Sequence, residues 1–274
     1  MPFNFSKILI PVDFTINTET AIKKAVSLVG AEGGTFHLIH VVKPGNAATI
    51  KFSLWEAENK LTRWKEILEE THPVIKIEVH ILRGHSVQAV VIECATLINA
   101  DLIIIGKQQG RRLWLSFRHN SPDIIAKQST CPVLTVGPGA VDAPPRVIVI
   151  PVGNFIPTRK LALGVFLARK YKAQIHLLAM RSNLLDSQEN HRQVFLRAYQ
   201  ELREKLLRTI QCSYAVIHDP AKAVLAYAES VKADMILVNP VTESGHTGIT
   251  GYRHISDMLE RNSRIQILDV LAYS

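Results

Sequence analysis

The sequence predicts an α/β fold that is doubly wound and built twice, as two five-stranded parallel-sheet domains in tandem. Three observations carry this. KILIPVD at 7–13 returns as RVIVIPVG at 146–153, and NADLIIIG at 99–106 returns as KADMILVN at 232–239, in the same order. Each copy alternates short Ile- and Val-rich runs with longer segments of helical period, which argues for right-handed strand–helix–strand crossovers. Several runs, such as LIII at 102–105, are apolar throughout, as suits strands buried on both faces of a parallel sheet.

In the first copy the strands are expected at Lys7 to Val12, Thr35 to Val42, Ile75 to Leu82, Asp101 to Ile105 and Pro132 to Val136. In the second they fall at Arg146 to Val152, Gln174 to Met180, Ser213 to Ile217, Asp234 to Val238 and Arg264 to Val270. The segments between them read as helices. Phe195, Tyr199, Leu202, Leu206 and Ile210 recur every three or four residues and give one of these helices an apolar face to lay on the sheet. Gly137 to Pro145 is rich in Gly and Pro, cannot extend a strand or helix, and reads as the linker. The domains are therefore expected at 1–137 and 146–274.

A chain of 274 residues suits two domains of ordinary size, each with its own core. Cys94, Cys131 and Cys212 are too few and too scattered for a disulfide framework or a zinc site, and a reducing compartment fits them. No run approaches the roughly 20 apolar residues of a membrane span, and the first residues show no signal-peptide arrangement. A soluble cytoplasmic protein is expected, with no membrane association. The net charge of +8 is spread mostly among mixed-charge helical segments, such as Arg192 to Arg208 with Glu201 and Glu204 between. That pattern reads as solvated surface, and no nucleic-acid partner is expected.

The chemistry concentrates where apolar strands end. Asp13 closes the first run and Gly106 the fourth, and in open parallel sheets the crevice outside the carboxyl ends of neighbouring strands is the ligand site. After Gly106 comes a loop containing Gly110, Arg111, Arg112, Trp114, Phe117, Arg118, Asn120 and Ser121, and then a helix for which Ser121 suits the N-cap and Pro122 the first position. The second copy has Gly153 for Asp13 and Asn239 for Gly106.

With these residues in view, both copies resemble universal stress protein domains, and the whole chain resembles the tandem members of that family. The resemblance rests on ILIPVD, HLIHVV, ADLIIIG, the Gly-containing loop and CPVLTV. It implies a Rossmann-like fold of the adenine nucleotide alpha hydrolase type. In the nucleotide-binding branch a loop G-x-x-G, nine residues, then G-S or G-T wraps the phosphates of ATP, while an acidic residue and second-strand backbone hold the adenosine. By position those roles fall on Asp13, Val41, Gly106, Gly110, Asn120 and Ser121. Three residues rather than two separate Gly106 from Gly110, and Asn120 stands in the place of a glycine; Asn enters left-handed conformations more easily than other non-glycine residues. The second copy, with Gly153, Asn239-Pro240 and His254-Ile255 at the matching places, has lost the pattern.

Each residue also has a plainer reading. Asp13 suits hydrogen bonding to loop amides, Ser121-Pro122-Asp123 is an ordinary helix start, Arg111 and Arg112 suit solvated surface, and Trp114 and Phe117 suit packing. His37 and His40 point to opposite faces of one strand and cannot readily share a metal, and His85 beside Gly84 suits loop packing. The Gly-rich stretch from Ser244 to Gly251 resembles a phosphate cradle in composition alone. No catalytic triad, HExxH, GxSxG or P-loop lysine appears in a fitting context, so no catalytic residue, no metal ligand and no enzyme activity are expected.

The expected function is a universal stress protein sensor or adaptor that binds ATP or another adenine nucleotide, with Mg2+ as an accompanying ion, through its first domain. The alternative is a nucleotide-free interaction scaffold for the stress response, with both sites degenerate. Its partners would be the nucleotide and a protein of unidentified kind. The final strands, Pro132 to Val136 and Arg264 to Val270, are apolar edges that need cover. The resemblance implies their pairing in an intrachain pseudo-dimer, with a homodimer as a further option.

Overall fold

A computed structural model describes residues 3–107, 122–140, 142–153, 155–181, 188–207, 209–216, 219–240, 255, 259 and 263–271. The chain divides into two compact units, Asn4–Ala143 and Pro144–Ser274, with Phe3 grouped in the latter. In the first unit the strands are β1 (Lys7–Pro11), β2 (Gly34–Val42), β3 (Ile75–Arg83), β4 (Leu102–Gly106) and β5 (Val133–Val136). The helices are α1 (Ile16–Val29), α2 (Ala47–Thr71), α3 (Val87–Leu97) and α4 (Pro122–Gln128). All pairings are parallel and the order is β3-β2-β1-β4-β5.

The second unit repeats this plan. Its strands are β6 (Val147–Val152), β7 (Gln174–Arg181), β8 (Gln211–Val216), β9 (Met235–Val238) and β10 (Gln266–Asp269), in the order β10-β9-β6-β7-β8. Its helices are α5 (Thr158–Tyr171), α6 (Gln188–Lys205) and α7 (Pro220–Ser230). The apolar spacing that runs to Ile210 outlasts the helix, which ends at Lys205; Leu206 and Ile210 stay buried along the connection to β8, so their periodicity reflects core contact rather than continued helix.

In each unit the central strands are buried on both faces. In the first, Leu9, Ile39, Ile103 and Val133 pack with Val91 and Cys94 of α3 and Ile125 of α4. In the second, Val149, Leu178, Ile236 and Ile267 pack with Val224 and Leu225 of α7. Among the described residues no helix is long and apolar enough to cross a membrane.

The repeated Ala-Asp motif has a structural cause. Asp101 Oδ2 accepts hydrogen bonds from the backbone N–H of Ser6 (3.1 Å) and Lys7 (2.8 Å) and from Ser6 Oγ (3.0 Å), while Asp101 N donates to Lys7 O (2.9 Å). Asp234 Oδ2 accepts from Arg146 N (2.8 Å) and Val147 N (3.0 Å), and Asp234 N donates to Val147 O (2.9 Å). One carboxylate thus fixes the amino end of the first strand to the fourth in both units. Charge-assisted bonds of this kind contribute about 1.5–3 kcal/mol. We expect Asp101→Ala and Asp234→Ala each to lower stability by about 1–3 kcal/mol in urea denaturation, with the loss confined to the unit that carries the change when domain-specific probes are read.

Candidate functional site

The strand order reverses its winding at β1 and β4, which are neighbours through Ile8↔Leu102 and Leu9↔Ile103. A crevice at their carboxyl ends follows from that topology. Asp13, Val41 and Gly106 all lie at this end of the sheet. Gly110, Asn120 and Ser121 lie outside the described residues, as do Arg111, Arg112, Trp114, Phe117, Arg118, His254 and the stretch 244–251. His85 is exposed.

Asp13 is held by the turn that carries the chain from β1 into α1. Its Oδ1 accepts from Thr15 N (3.0 Å), Thr15 Oγ1 (2.7 Å) and Thr18 Oγ1 (2.7 Å), and Thr18 Oγ1 in turn accepts from Asp13 N (3.0 Å). Thr15 is the N-cap of α1, its hydroxyl accepting from Asn17 N (3.2 Å), which satisfies one of the helix's orphan donors. The plainer reading of Asp13 therefore describes Oδ1. Oδ2 has no hydrogen-bond partner among the described residues, and the carboxylate is half-buried. Three donors on one oxygen fix the direction in which the other points.

Val41 contributes backbone. Ile39 O accepts from Val12 N (2.8 Å) on the β1 side of β2, whereas Val42 O accepts from Gly84 N (3.2 Å) on the β3 side. Successive residues of a strand turn their N–H and C=O to alternate sides, so the Val41 pair faces the β1 side, beyond the point where β1 has ended. Gly106 contributes an absence of side chain. A Cβ there would overlap the Asn17 carbonyl oxygen and lie 2.9 Å from the Asn17 Cα, so only glycine lets the end of β4 lie against the first turn of α1.

Phe14, Trp64 and Lys60, which the sequence does not mark, join His40 at this end of the sheet. Phe14 has φ 57°, a left-handed backbone that costs a bulky residue about 1–2 kcal/mol. Its ring centroid sits 4.7 Å from that of His40 and 5.9 Å from that of Trp64, and Lys60 Nζ lies 5.1 Å from it. His40 Nδ1 donates to Val12 O (2.8 Å). That bond holds the ring in place from the Nδ1 side. A left-handed Phe is invisible in sequence, and Trp64 reads there as one more apolar position of a helix.

The second unit differs where it matters. Among the described residues, Gly153 has no neighbour within 4 Å of the place a Cβ would take. Asn239 is buried and its Nδ2 donates to Val270 O (2.8 Å), whereas the matching position in the first unit is Gly106, followed by Lys107 N donating to Val136 O (2.6 Å). A cavity of about 450 Å³ opens between the sheet and α6, lined by Val152, Ala179, Phe195, Cys212 and Tyr214 among others. Cys212 is exposed, and partial desolvation on the cavity side pushes its thiol up.

Residues 4–137 match the Universal stress protein family. The chain superposes on a universal stress protein from Archaeoglobus fulgidus DSM 4304 with a TM-score of 0.71 at 17% identity, over 97% of this chain and 96% of that one. A functionally unknown protein from Pseudomonas aeruginosa PAO1 superposes with a TM-score of 0.60 at 16% identity, over 97% and 92% of the two chains. No protein of curated function matches the chain by sequence. Residues 4–137 form a domain of the universal stress protein family.

The two glycines give a direct contrast. We expect Gly106→Ala to destabilise the first unit by about 1–3 kcal/mol, as overpacking does, and Gly153→Ala to change stability by less than about 1 kcal/mol, both read from thermal denaturation.

Proposed function

We propose that residues 4–137 bind ATP or another adenine nucleotide at the carboxyl ends of β1, β2 and β4, and that the protein acts through occupancy of this site rather than by turnover. The observation that carries the proposal is the Asp13 carboxylate, one oxygen locked by three donors and the other left as an aimed acceptor. A ribose diol offers two hydroxyl donors to such an acceptor. The Val41 N–H and C=O offer a donor–acceptor pair of the kind an adenine edge takes, and Phe14 and His40 offer flat surface beside them. Mg2+ would accompany the phosphates as counter-charge. Turnover is not part of the proposal, because the groups hydrogen-bonded to Asp13 are threonine hydroxyls and amides, none of which is a base. The second unit, with Gly153 and with Pro240 lacking an N–H, serves as a partner domain that binds no nucleotide.

A nucleotide-free scaffold is the second reading, favoured by the fact that the three bonds to Oδ1 give Asp13 a sufficient structural role. Asp13→Asn separates the two. The Asn carbonyl can keep the three donors while its amide replaces Oδ2 by a donor. Calorimetric titration of the full chain with ATP should show affinity falling at least about tenfold in Asp13→Asn, the loss of one hydrogen bond to a charged group, with little change in melting temperature. Equal affinity in the variant, or no binding of ATP, ADP or AMP by the parent protein, leaves the scaffold reading standing.

A further inference from the structure

His37, at the middle of β2, is 5% exposed and belongs to the face of the sheet opposite the one that carries His40. The parallel register places Glu78 beside it and His80 beside Ile39, so Glu78 and His80, two apart on β3, share His37's face. His37 Nδ1 lies 3.0 Å from His80 Nε2 and 3.4 Å from Glu78 Oε2, and the two imidazoles stack with centroids 5.2 Å apart. One ligand atom from each residue falls within 4.8 Å of the other two. Burial lowers the His37 pKa.

We propose that His37, Glu78 and His80 form a binding site for a divalent transition-metal cation of the zinc class. Two imidazoles and one carboxylate are the donor set such ions take when an open position is kept for water or a small ligand. Bonds of about 2.0–2.2 Å at tetrahedral angles put ligand atoms about 3.3–3.5 Å apart, and the two measured separations of 3.0 and 3.4 Å need only small side-chain movements to meet that. In the metal-free arrangement a proton bridges the two ring nitrogens; on metal binding it moves to the other nitrogen of its ring, and both bridging lone pairs turn to the ion. Glu78 also accepts from Lys76 Nζ at 2.7 Å through Oε1, leaving Oε2 for the ion.

The second unit shows what a merely satisfied histidine looks like in this place. His176 occupies the position of His37, and its Nδ1 meets the Tyr227 hydroxyl at 3.0 Å. Gln211 and Ser213 stand on β8 where Glu78 and His80 stand on β3. A single neutral hydroxyl is enough to partner this histidine there. The first unit instead brings two further ligand-type groups to it, one of them a carboxylate.

Titration of the full chain with Zn2+ alone, followed by calorimetry and by competition against a chromophoric chelator, tests the site. One equivalent is expected to bind saturably. Glu78→Gln, which keeps the shape, and His80→Ala, on the edge strand, are each expected to weaken it at least about tenfold, with far-UV circular dichroism unchanged. Co2+ in place of Zn2+ should give visible d–d bands that the same variants lose. Lys76→Ala removes a competing cation from an exposed position and should leave binding equal or tighter. Absence of saturable uptake, or full affinity in Glu78→Gln, overturns the proposal; should His80→Ala unfold, Glu78→Gln alone decides.

Discussion

The meeting of β4 with the first turn of α1 is the contact on which the rest of the first domain depends. Gly106 lies against the Asn17 backbone at a distance that no side chain permits. Because β4 can come that close, α1 starts directly over the carboxyl end of the sheet. The turn that makes this start possible is tied together by Asp13, Thr15 and Thr18. The crevice, the direction of the free Asp13 oxygen and the left-handed Phe14 all follow from fitting strand, turn and helix into so short a span.

The two units keep the same devices at the amino ends of their strands and diverge at the carboxyl ends. Asp101 and Asp234 clamp the first strand to the fourth in the same way. Those positions serve folding, which both units need. Asp13 against Gly153 and Gly106 against Asn239 are differences on the crevice side. In the second unit Asn239 spends its amide on Val270 O and so turns the same position into part of the core.

The strands were legible in the sequence because each is a short apolar run, and the strand–helix alternation with the repeated motifs gave the parallel sheets. The Phe195 to Ile210 periodicity overran its helix because burial, not helical geometry, sets the spacing at Leu206 and Ile210. Of the crevice, Asp13 and Gly106 are legible as strand ends, and Val41 only through the family resemblance. The locking of one Asp13 oxygen is not legible, since it depends on hydroxyls that reach back from α1. Phe14 was missed because a left-handed backbone leaves no mark on a phenylalanine. His37 was compared with His40 along its own strand, while its actual partners come from β3, where only the register reveals them.

Adenine nucleotide bound as proposed in the crevice of the first domain would perturb the backbone that lines it. Nitrogen–proton correlation spectra of the full chain, recorded during titration with ATP, test it most directly. Saturable shifts of the Thr15, Val41 and Gly106 amides are expected, with the corresponding amides of the second domain, Gly153 and Asn239 among them, unmoved. Shifts centred on Gly153 and Asn239, or no saturable shift at Val41, would contradict it.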